Sequence, residues 1–444
     1  MTQLQVLVDP EMAIIFETSP LGLGHLRVTD ALYHGLPKTA SPILFGAQAP
    51  ASSAMYRFAS VHKSTRTVLE MLQLPPLDQP VAAIGRTILR HQTKDLYSQL
   101  KRILNERFTV PKSVLLVATH AIHAHPLGAV KEKLSRELGI KAFLVVQVTD
   151  DSPQAIWYVT DADMIFVPSE YTKEKLQAYA KKARLPEVPI VVTAYPVSPL
   201  LTEEMSEHMV SQRKEQLREG SESTTHVSVP VPGAAVGTDF MATFVQTLHQ
   251  KSQRYHFHIV AREAPFTQKF VQTMTELPYV TLSVSSHERA TIDNYEKVFK
   301  EHNIALELTK PSEQAFKVLA QPKDQGGSLL LFSHPVGGQE YDNVRFLHTH
   351  GFVPTDHESQ ALWDKSQTGE HVPEEILRKV ISWRGLLLPE DPEASAVFTD
   401  WCLREGIFTK MMEYKLDQKR PEVQSNGVEQ FWNHVADLVE KQSK

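Results

Sequence analysis

The feature that most constrains the fold of this chain is a repeated alternation of short apolar runs with longer stretches of helical periodicity. The first series of apolar runs comprises residues 12–17, 42–45, 113–118, 142–148, 164–167 and 189–193. Helical stretches such as 54–72 and 132–138 separate these runs. Strands that alternate with helices form parallel sheets, so the series predicts a doubly wound, Rossmann-like α/β domain.

A second series of the same kind begins after a polar stretch at 213–225, which we interpret as a linker. Its apolar runs are residues 226–231, 256–261, 280–283, 306–308 and 328–332. Beyond residue 355 the pattern is mostly helical. The sequence therefore predicts two tandem Rossmann-like domains, at 1–212 and 226–354, followed by a helical tail at 355–444.

Composition excludes several classes of protein. The chain has 444 residues, a formal net charge of −6 and a single cysteine, Cys402. One cysteine excludes disulfide scaffolds and cysteine-rich zinc sites, and the acidic balance argues against a nucleic-acid partner. The sequence has no signal-peptide pattern and no apolar run near the ~20 residues of a membrane helix, so we expect a cytoplasmic protein.

In open parallel sheets, ligands bind beyond the carboxyl ends of the strands, so the segments that follow the predicted strands are candidate site regions. Gly22 and Gly24 follow the first strand, and His25 comes next, at the start of a helix. Glycines allow a tight turn and a close approach of the backbone to a ligand. The alternative is an ordinary strand–helix turn with a surface histidine.

Three histidines, His120, His123 and His125, follow the third strand. Their spacing matches no zinc-binding pattern, and no cysteine or carboxylate pattern accompanies them, so we predict no metal site. A polar lining of a binding cleft is the preferred interpretation, and His120 is the best placed of the three.

Two adjacent carboxylates, Asp150 and Asp151, follow the fourth strand, and Trp157 lies a few residues further on. Carboxylates at a strand end can act as a base or recognise hydroxyl groups. They can equally cap the turn before Pro153, and the sequence leaves both roles open.

In the second domain, Gly233, Gly237 and Thr238 lie between the first strand and its helix. Small residues before a helix start let backbone N–H groups and the positive end of the helix face a phosphate. The alternative is a small-residue turn that packs the helix closely against the sheet.

The densest group of polar residues follows two later strands of this domain. It comprises Lys310, Ser312, Glu313, Gly338, Gln339, Glu340 and Asn343. The Glu313 carboxylate can accept two hydrogen bonds from a ribose diol, and the amide and acid groups after residue 338 suit sugar hydroxyls. Helix capping explains Ser312 and Glu340 one by one, but not the whole group.

These segments resemble GT-B glycosyltransferases, in particular the group that contains the diacylglycerol glycosyltransferases and the peptidoglycan N-acetylglucosaminyltransferase. The resemblance covers roughly residues 12–352 and is carried by the glycine turn before His25, the VTDD…W…VPSE run at 148–170, the turn at 231–239, the segment 309–320 and the run PVGGQEYDN. The last run is the most specific part. The chain departs from the family at Pro232, where the family has glycine, and at 310–313, where the family's loop is longer.

Members of this group bind a nucleotide sugar in the C-terminal domain and the acceptor in the N-terminal domain, across a cleft. The resemblance implies that Glu313 binds the ribose, that Gln339 and Asn343 contact the sugar, and that the turn before Thr238 faces the diphosphate. It also implies that His25 lies near the reacting centre, with inversion at the sugar carbon and with no metal or other cofactor. The last helix would pack back on the N-terminal domain.

The sequence therefore predicts a hexosyltransferase that uses a uridine-diphosphate sugar, with His25, or less favoured Asp150, as the base. Two alternatives stay open. One is a nucleotide-sugar epimerase or hydrolase of the same fold, and the other is a non-catalytic protein that binds nucleotide sugars. The donor sugar and the acceptor do not follow from the sequence.

The acceptor hypothesis depends on a helical pattern at 81–108, in which Arg86, Arg90, Lys94 and Lys101 fall on one face. A basic amphipathic helix is typical of docking on an anionic membrane surface, so a lipid or lipid-linked acceptor is one hypothesis. A solvated helix face is the other.

Overall fold

The computed structural model of the chain describes residues 3–18, 23–46, 78–91, 93–107, 111–332, 338–414 and 420–443. The chain forms two compact units. The first comprises Met1–Pro199 and Arg420–Lys444, and the second comprises Leu200–Lys419. Gly22 and the predicted helix at 54–72 lie outside the described residues.

In the described residues, the first unit contains a parallel sheet of six strands. These are β1 (Met12–Thr18), β2 (Ile43–Gly46), β3 (Ser113–Ala118), β4 (Lys141–Gln147), β5 (Met164–Val167) and β6 (Ile190–Val192). Their order is β2-β1-β3-β4-β5-β6, and neighbouring strands run parallel. The chain leaves β1 to one side for β2 and crosses to the other side for β3. The topological switch point therefore lies between the ends of β1 and β3.

The described part of the second unit also contains a parallel sheet of six strands. These are β7 (Thr225–Pro230), β8 (Tyr255–Arg262), β9 (Val280–Ser285), β10 (Leu306–Thr309), β11 (Ser328–Leu331) and β12 (Gly385–Leu387). Their order is β12-β11-β10-β7-β8-β9, so the switch point lies between the ends of β7 and β10. Two doubly wound α/β sheets in tandem confirm the predicted fold class.

Helices connect the strands. In the first unit the described α-helices are Leu23–His34, Asp78–His91, Lys94–Asn105, Ala121–Leu138, Glu170–Ala183 and Gly427–Ser443. In the second they are Glu207–Leu217, Thr238–Lys251, Gln268–Thr275, Glu288–Glu301, Gly338–Thr349, Asp356–Thr368, Glu374–Lys379, Pro392–Arg404 and Ile407–Met411. Short 3₁₀ helices occupy Gln3–Val8, Ala155–Trp157, Glu313–Leu319, Val380–Ser382 and Pro421–Val423.

The inner strands are apolar on both faces because helices cover both faces of such a sheet. Strand β3, of sequence SVLLVA, is buried from its second residue onward. Its Leu115 pairs with Ile14 of β1 and with Phe143 of β4. This buried register determines where β1 and β3 end, and hence where the residues that follow them are held.

The boundary between the two units lies between Pro199 and Leu200, before the predicted linker at 213–225. Arg213 lies in helix Glu207–Leu217, is buried, and donates hydrogen bonds to the carbonyl groups of Pro322, Asp324 and Gly326. Burial lowers the pKa of Arg213 to about 9. The sequence suggested a linker because the run that begins at Arg213 is polar. The carbonyl groups that accept the hydrogen bonds of Arg213 lie far away along the chain, so its burial is not visible from the local sequence.

The predicted helical tail at 355–444 is divided in the structure. Strand β12 pairs with β11 in the second sheet, so the tail's first part belongs to the second unit. A strand of three residues has too short an apolar run to be recognised in a helical context.

The last helix, Gly427–Ser443, packs within the first unit. The Trp432 indole Nε1 donates a hydrogen bond to the Leu32 carbonyl oxygen at 2.9 Å. The Phe431 and Phe166 rings have centroids 4.4 Å apart. The apolar stripe of this helix therefore covers the sheet and helices of the unit that begins the chain.

In the basic face predicted at 81–108, Lys94 is exposed, whereas Arg86 and Arg90 contact other side chains of the protein. The stretch forms two helices, Asp78–His91 and Lys94–Asn105, and Arg86 of the first is buried and donates to the Tyr179 hydroxyl. Arg90 forms an ion pair with Asp161. Within the described part of the chain, no helix combines the length and apolarity needed to cross a bilayer.

Four histidines cluster in the second unit: His226 of β7, His256 and His258 of β8, and His302. The His226 Nδ1 and His258 Nε2 atoms share a hydrogen bond of 2.9 Å. Burial, reinforced by repulsion from the neighbouring histidines, lowers the pKa of His226 to about 4 and that of His258 to about 2.

We expect this cluster to make the second unit sensitive to acid. The unfolded chain binds protons on these histidines near pH 6.5, whereas folded His226 does so only near 4. Stability is therefore complete above about pH 7 and falls as the pH drops from 6.5 towards 4, by roughly 1 kcal/mol at pH 5 because solvent screens the partly exposed His226. Denaturant unfolding at pH 7.5 and 5.0 measures the loss.

Two variants serve as test and control for this acid sensitivity. His226→Asn should reduce the pH dependence of unfolding. His208→Asn should not, because that side chain is exposed on a helix of the same unit. The same pH dependence in both variants would remove the cluster as its cause.

Candidate functional site

The first candidate site is the switch point of the first sheet, where helix Leu23–His34 follows β1 and Thr119 follows β3. His25 is the third residue of this helix and is half-buried. Its Nδ1 atom lies 2.9 Å from the Thr119 carbonyl oxygen and 3.0 Å from Thr149 Oγ1. A carbonyl oxygen only accepts, so Nδ1 carries the proton and Nε2 is the basic nitrogen of the neutral ring. The fold thus leaves Nε2 as the His25 nitrogen that can accept a proton.

Two other predicted residues lie beside His25, and a third follows a neighbouring part of the sheet. Gly24 is in the first turn of the same helix. The Trp157 and His25 rings have centroids 6.3 Å apart. Asp150 is half-buried just beyond β4. Gly24 and Trp157 thus share the immediate surroundings of His25.

His120 begins the helix Ala121–Leu138 as its N-cap, and its Nδ1 atom accepts a hydrogen bond from the Ile122 N–H at 3.1 Å. Its ring centroid is 4.1 Å from that of His25. Burial, with the nearby His25 and His123, lowers the pKa of His120 well below its usual value. His120 is therefore a neutral, fixed neighbour of His25 near pH 7.

Asp151, a predicted acceptor-side residue, makes structural hydrogen bonds. It is buried, and its Oδ1 atom accepts hydrogen bonds from the hydroxyl groups of Ser169 and of Thr172, the latter at 2.7 Å. These bonds hold the start of helix Glu170–Ala183 against the end of β4. The carboxylate turns inward because two buried hydroxyl donors satisfy it.

Sequence reasoning overlooked a buried acid–histidine pair beside this site. Glu17 of β1 and His123 of helix Ala121–Leu138 are both buried, and Glu17 Oε1 lies 3.1 Å from His123 Nδ1. Burial raises the pKa of Glu17, and the contact with His123 opposes that rise. The available signal was a lone acid at the end of an otherwise apolar strand.

No metal-binding group accompanies these histidines: the described residues hold no set of three or more His, Cys, Asp or Glu side chains placed to bind a metal ion.

The second candidate site is the switch point of the second sheet. After β7 the chain turns, with the Ala235 N–H donating to the Pro232 carbonyl at 2.7 Å, and enters helix Thr238–Lys251. Gly237 has a φ of +85°, and a Cβ atom added there would lie 2.8 Å from the Phe332 ring. Gly237 is therefore required by the turn and by close packing, which is the structural alternative noted from sequence.

The turn nevertheless directs the positive end of helix Thr238–Lys251 towards the switch point, because the helix starts at the end of β7. Gly233 lies half-buried within the same turn. Both features are compatible with an anion at this strand end.

Beyond β10, Glu313 begins the 3₁₀ helix Glu313–Leu319 and is half-buried, and Ser312 is its N-cap. Lys310 forms a largely buried ion pair with Glu340, in the first turn of helix Gly338–Thr349. The segments that follow β10 and β11 are therefore in contact, as the predicted sheet requires. Together they offer a lysine cation and a carboxylate at one strand-end region.

Asn343 connects the segments that follow β10 and β11. Its side chain is fully buried, and Nδ2 donates to the Pro311 carbonyl at 3.2 Å. Gly338 and Gln339, one turn earlier, are half-buried. Gln339 and Asn343 are four residues apart and share a face of the helix. Of the two, Asn343 is buried and supports the loop that carries Glu313.

A buried hydrogen-bond network around Lys317 supports the short helix that begins with Glu313. The Lys317 ammonium group contacts the Glu307 carboxylate, the Tyr295 hydroxyl at 2.8 Å and Gln314 Oε1 at 2.9 Å. The Tyr295 hydroxyl in turn donates to Glu307 at 2.8 Å. Because Lys317 lies on the same short helix as Glu313, the network fixes the position of the Glu313 backbone.

Neither a protein-family model nor a curated protein matches the chain. Among solved structures, it is similar to UDP-GlcNAc 2-epimerase from Neisseria meningitidis bound to UDP-GlcNAc, with 11% identity, 96% of this chain and 99% of that chain covered, and a TM-score of 0.49. α,α-Trehalose 6-phosphate synthase from Burkholderia multivorans has 10% identity, coverages of 97% and 99%, and a TM-score of 0.42. UGT89C1 from Arabidopsis thaliana, complexed with UDP-L-rhamnose, has 12% identity, coverages of 96% and 98%, and a TM-score of 0.41. At this level of similarity no ligand or reaction carries over to the chain.

Proposed function

We propose that the chain is an enzyme acting on a uridine-diphosphate sugar and, more narrowly, a hexosyltransferase that moves the hexosyl group to an acceptor hydroxyl. The observation that carries the proposal is the polar group at the second switch point. It combines the Lys310–Glu340 ion pair, the anchored Glu313 and the start of helix Thr238–Lys251. A ribose diol suits a carboxylate acceptor, and a diphosphate suits a lysine and a helix N-terminus.

In this proposal His25 is the base. Its Nε2 atom takes the proton of the acceptor hydroxyl, the acceptor oxygen forms a bond to the anomeric carbon of the sugar, and the bond from that carbon to UDP breaks. Direct displacement inverts the anomeric carbon. Lys310 and the positive end of helix Thr238–Lys251 offset the charge of the departing diphosphate.

An epimerase or hydrolase is the second candidate, and one observation favours it. The first unit places several acid and histidine groups beside His25, namely His120 and the Glu17–His123 pair, of which the sequence did not indicate Glu17. Such reactions need several proton-transfer groups at one place.

The acceptor stays open. The contacts of Arg86 with Tyr179 and of Arg90 with Asp161 weaken the argument from a basic helix for a lipid acceptor, while Lys94 remains exposed. A lipid-linked hydroxyl and a soluble hydroxyl are therefore both arms of the test.

A UDP-release assay tests the proposal. The purified chain is incubated with UDP-glucose, UDP-galactose or UDP-N-acetylglucosamine, alone, with a membrane-lipid extract and with a mixture of soluble sugars. Release that needs an acceptor, with a product heavier by one hexosyl group, supports the transferase. Release or sugar conversion without an acceptor supports the second candidate, and binding without any turnover contradicts both enzymes.

Glu313→Ala should weaken UDP binding with the fold intact. Losing a charged hydrogen bond costs ~1.5–3 kcal/mol, which corresponds to roughly 10- to 150-fold in Kd. Calorimetry with UDP measures the change. Glu374→Ala is the control, because Glu374 also begins a helix of the second unit and is exposed. Equal affinity in the two variants would remove Glu313 from the nucleotide site.

A further inference from the structure

The Glu17–His123 pair lies next to the proposed base, and the proposed reaction leaves it without a role. The His123 and His120 rings have centroids 5.5 Å apart, and the His120 and His25 rings follow at 4.1 Å. The imidazoles of His25, His120 and His123 thus form a continuous row. The buried Glu17 carboxylate contacts the His123 end of this row.

This pair has two polar atoms that the described surroundings do not satisfy. Glu17 Oε2 and His123 Nε2 are both buried, and among the described residues neither has a hydrogen-bond partner. A buried polar atom without a partner costs stability that an apolar residue would not cost. Packing therefore gives no reason for an acid and a histidine at these positions.

Other charged or titratable groups around the row have partners of their own. Asp30 lies 3.5 Å from His34, and His125 Nε2 is 2.8 Å from the Ile156 carbonyl oxygen. The remaining such groups on the adjoining segments are Arg27, Asp150, Asp151 and Lys131. Of these, Asp151 accepts from two hydroxyls and Lys131 is paired with Asp163. Glu17 is a carboxylate in direct contact with the row, through His123.

We propose that Glu17, acting through His123, is a positioning residue that stabilises the imidazolium form of His25 by its negative charge. The inference rests on the proposed function, in which His25 takes the proton of the acceptor hydroxyl. That proton stays on His25 Nε2, and the charge comes from the Glu17 carboxylate, whose ionised form the contact with His123 favours and burial opposes. No proton passes through His120, because its Nδ1 atom is occupied by the Ile122 N–H.

The test is an NMR titration of the histidine ring Cε1–H signals in the full chain, which needs no substrate. Glu17→Gln keeps the shape of the side chain and removes its charge. We expect the pKa of His25 to fall by about one unit, the size expected for a buried charge acting across two neighbouring rings. Glu11→Gln is the control, because Glu11 lies just before β1 and pairs with Lys112. An unchanged His25 pKa in Glu17→Gln would overturn the proposal.

A conservative variant separates charge from packing. Glu17→Asp retains the carboxylate and should keep the His25 pKa within a few tenths of a unit of the wild-type value. It also serves if Glu17→Gln does not fold, since a shift as large as one unit in a variant that keeps the charge would contradict the proposal.

The pH dependence of UDP release gives a second readout. In Glu17→Gln the acidic limb of the profile should move to lower pH by the same amount as the His25 pKa, and the plateau rate should fall. A purely structural role would lower stability and leave the limb in place. If the wild-type chain releases no UDP, the proposed function fails, while the titration still decides whether Glu17 controls His25.

Discussion

His25→Ala is expected to lower the rate of UDP release from the sugar donor by ~10²–10⁴-fold, the usual contribution of a general base. UDP affinity should stay within about twofold, because the residues proposed to bind the nucleotide lie in the second unit. The expectation follows from the tautomer of His25, whose Nδ1 atom is held by Thr119 and Thr149. Steady-state rates and calorimetry on the same preparation measure both quantities.

Two further variants complete this test. His91→Ala removes an exposed histidine of the same unit and should leave the rate unchanged. Thr149→Val removes one of the two partners of Nδ1, and we expect a smaller loss of about tenfold, since the Thr119 carbonyl remains. A His25→Ala enzyme with the wild-type rate would assign the base to another group, with Asp150 the first to be tested.

Trp432→Ala should destabilise the first unit by ~3–5 kcal/mol, the cost of removing a large buried aromatic side chain. Trp432 is fully buried, donates to the Leu32 carbonyl, and packs edge-on against Phe16 at a centroid distance of 6.0 Å. Hydrogen exchange followed by mass spectrometry should show protection lost from the strands β1 to β6.

The control for this prediction lies on the same helix. Glu440→Ala changes an exposed residue and should alter stability by less than about 0.5 kcal/mol. Trp432→Phe should fall between the two variants, because it keeps an aromatic ring and loses the hydrogen bond. Protection lost mainly from β7 to β12 after Trp432→Ala would show that the helix supports the other unit.

Local patterns predicted much of the fold. The strands β3 and β4 coincide closely with the predicted apolar runs at 113–118 and 142–148. The three residues of β12 were not predicted as a strand, because their pairing with β11 depends on the assembled sheet. The burial of Arg213 was not predicted either, because the carbonyl groups that accept its hydrogen bonds lie about a hundred residues away in sequence.

The sequence indicated where candidate site regions lie, but not the role of each polar side chain in them. The rule that ligands bind beyond strand ends directed attention to His25 and Glu313, and both lie at switch points. The rule does not say which way a polar side chain turns. Asp151 and Asn343 turn inward to satisfy buried hydroxyl and carbonyl groups, and Glu17 finds His123 only when β1 and β3 are paired.

The first unit is made from two pieces of chain, with the whole second unit inserted between them. The bond from Trp432 to Leu32 joins residues 400 positions apart. At a synthesis rate of ~5–20 residues per second, β1 leaves the ribosome roughly 20–80 s before the helix that covers it. The second unit is continuous, so it can finish first, while the earlier strands wait with apolar surface uncovered. We therefore expect the nascent chain to depend on chaperones until its final helix emerges.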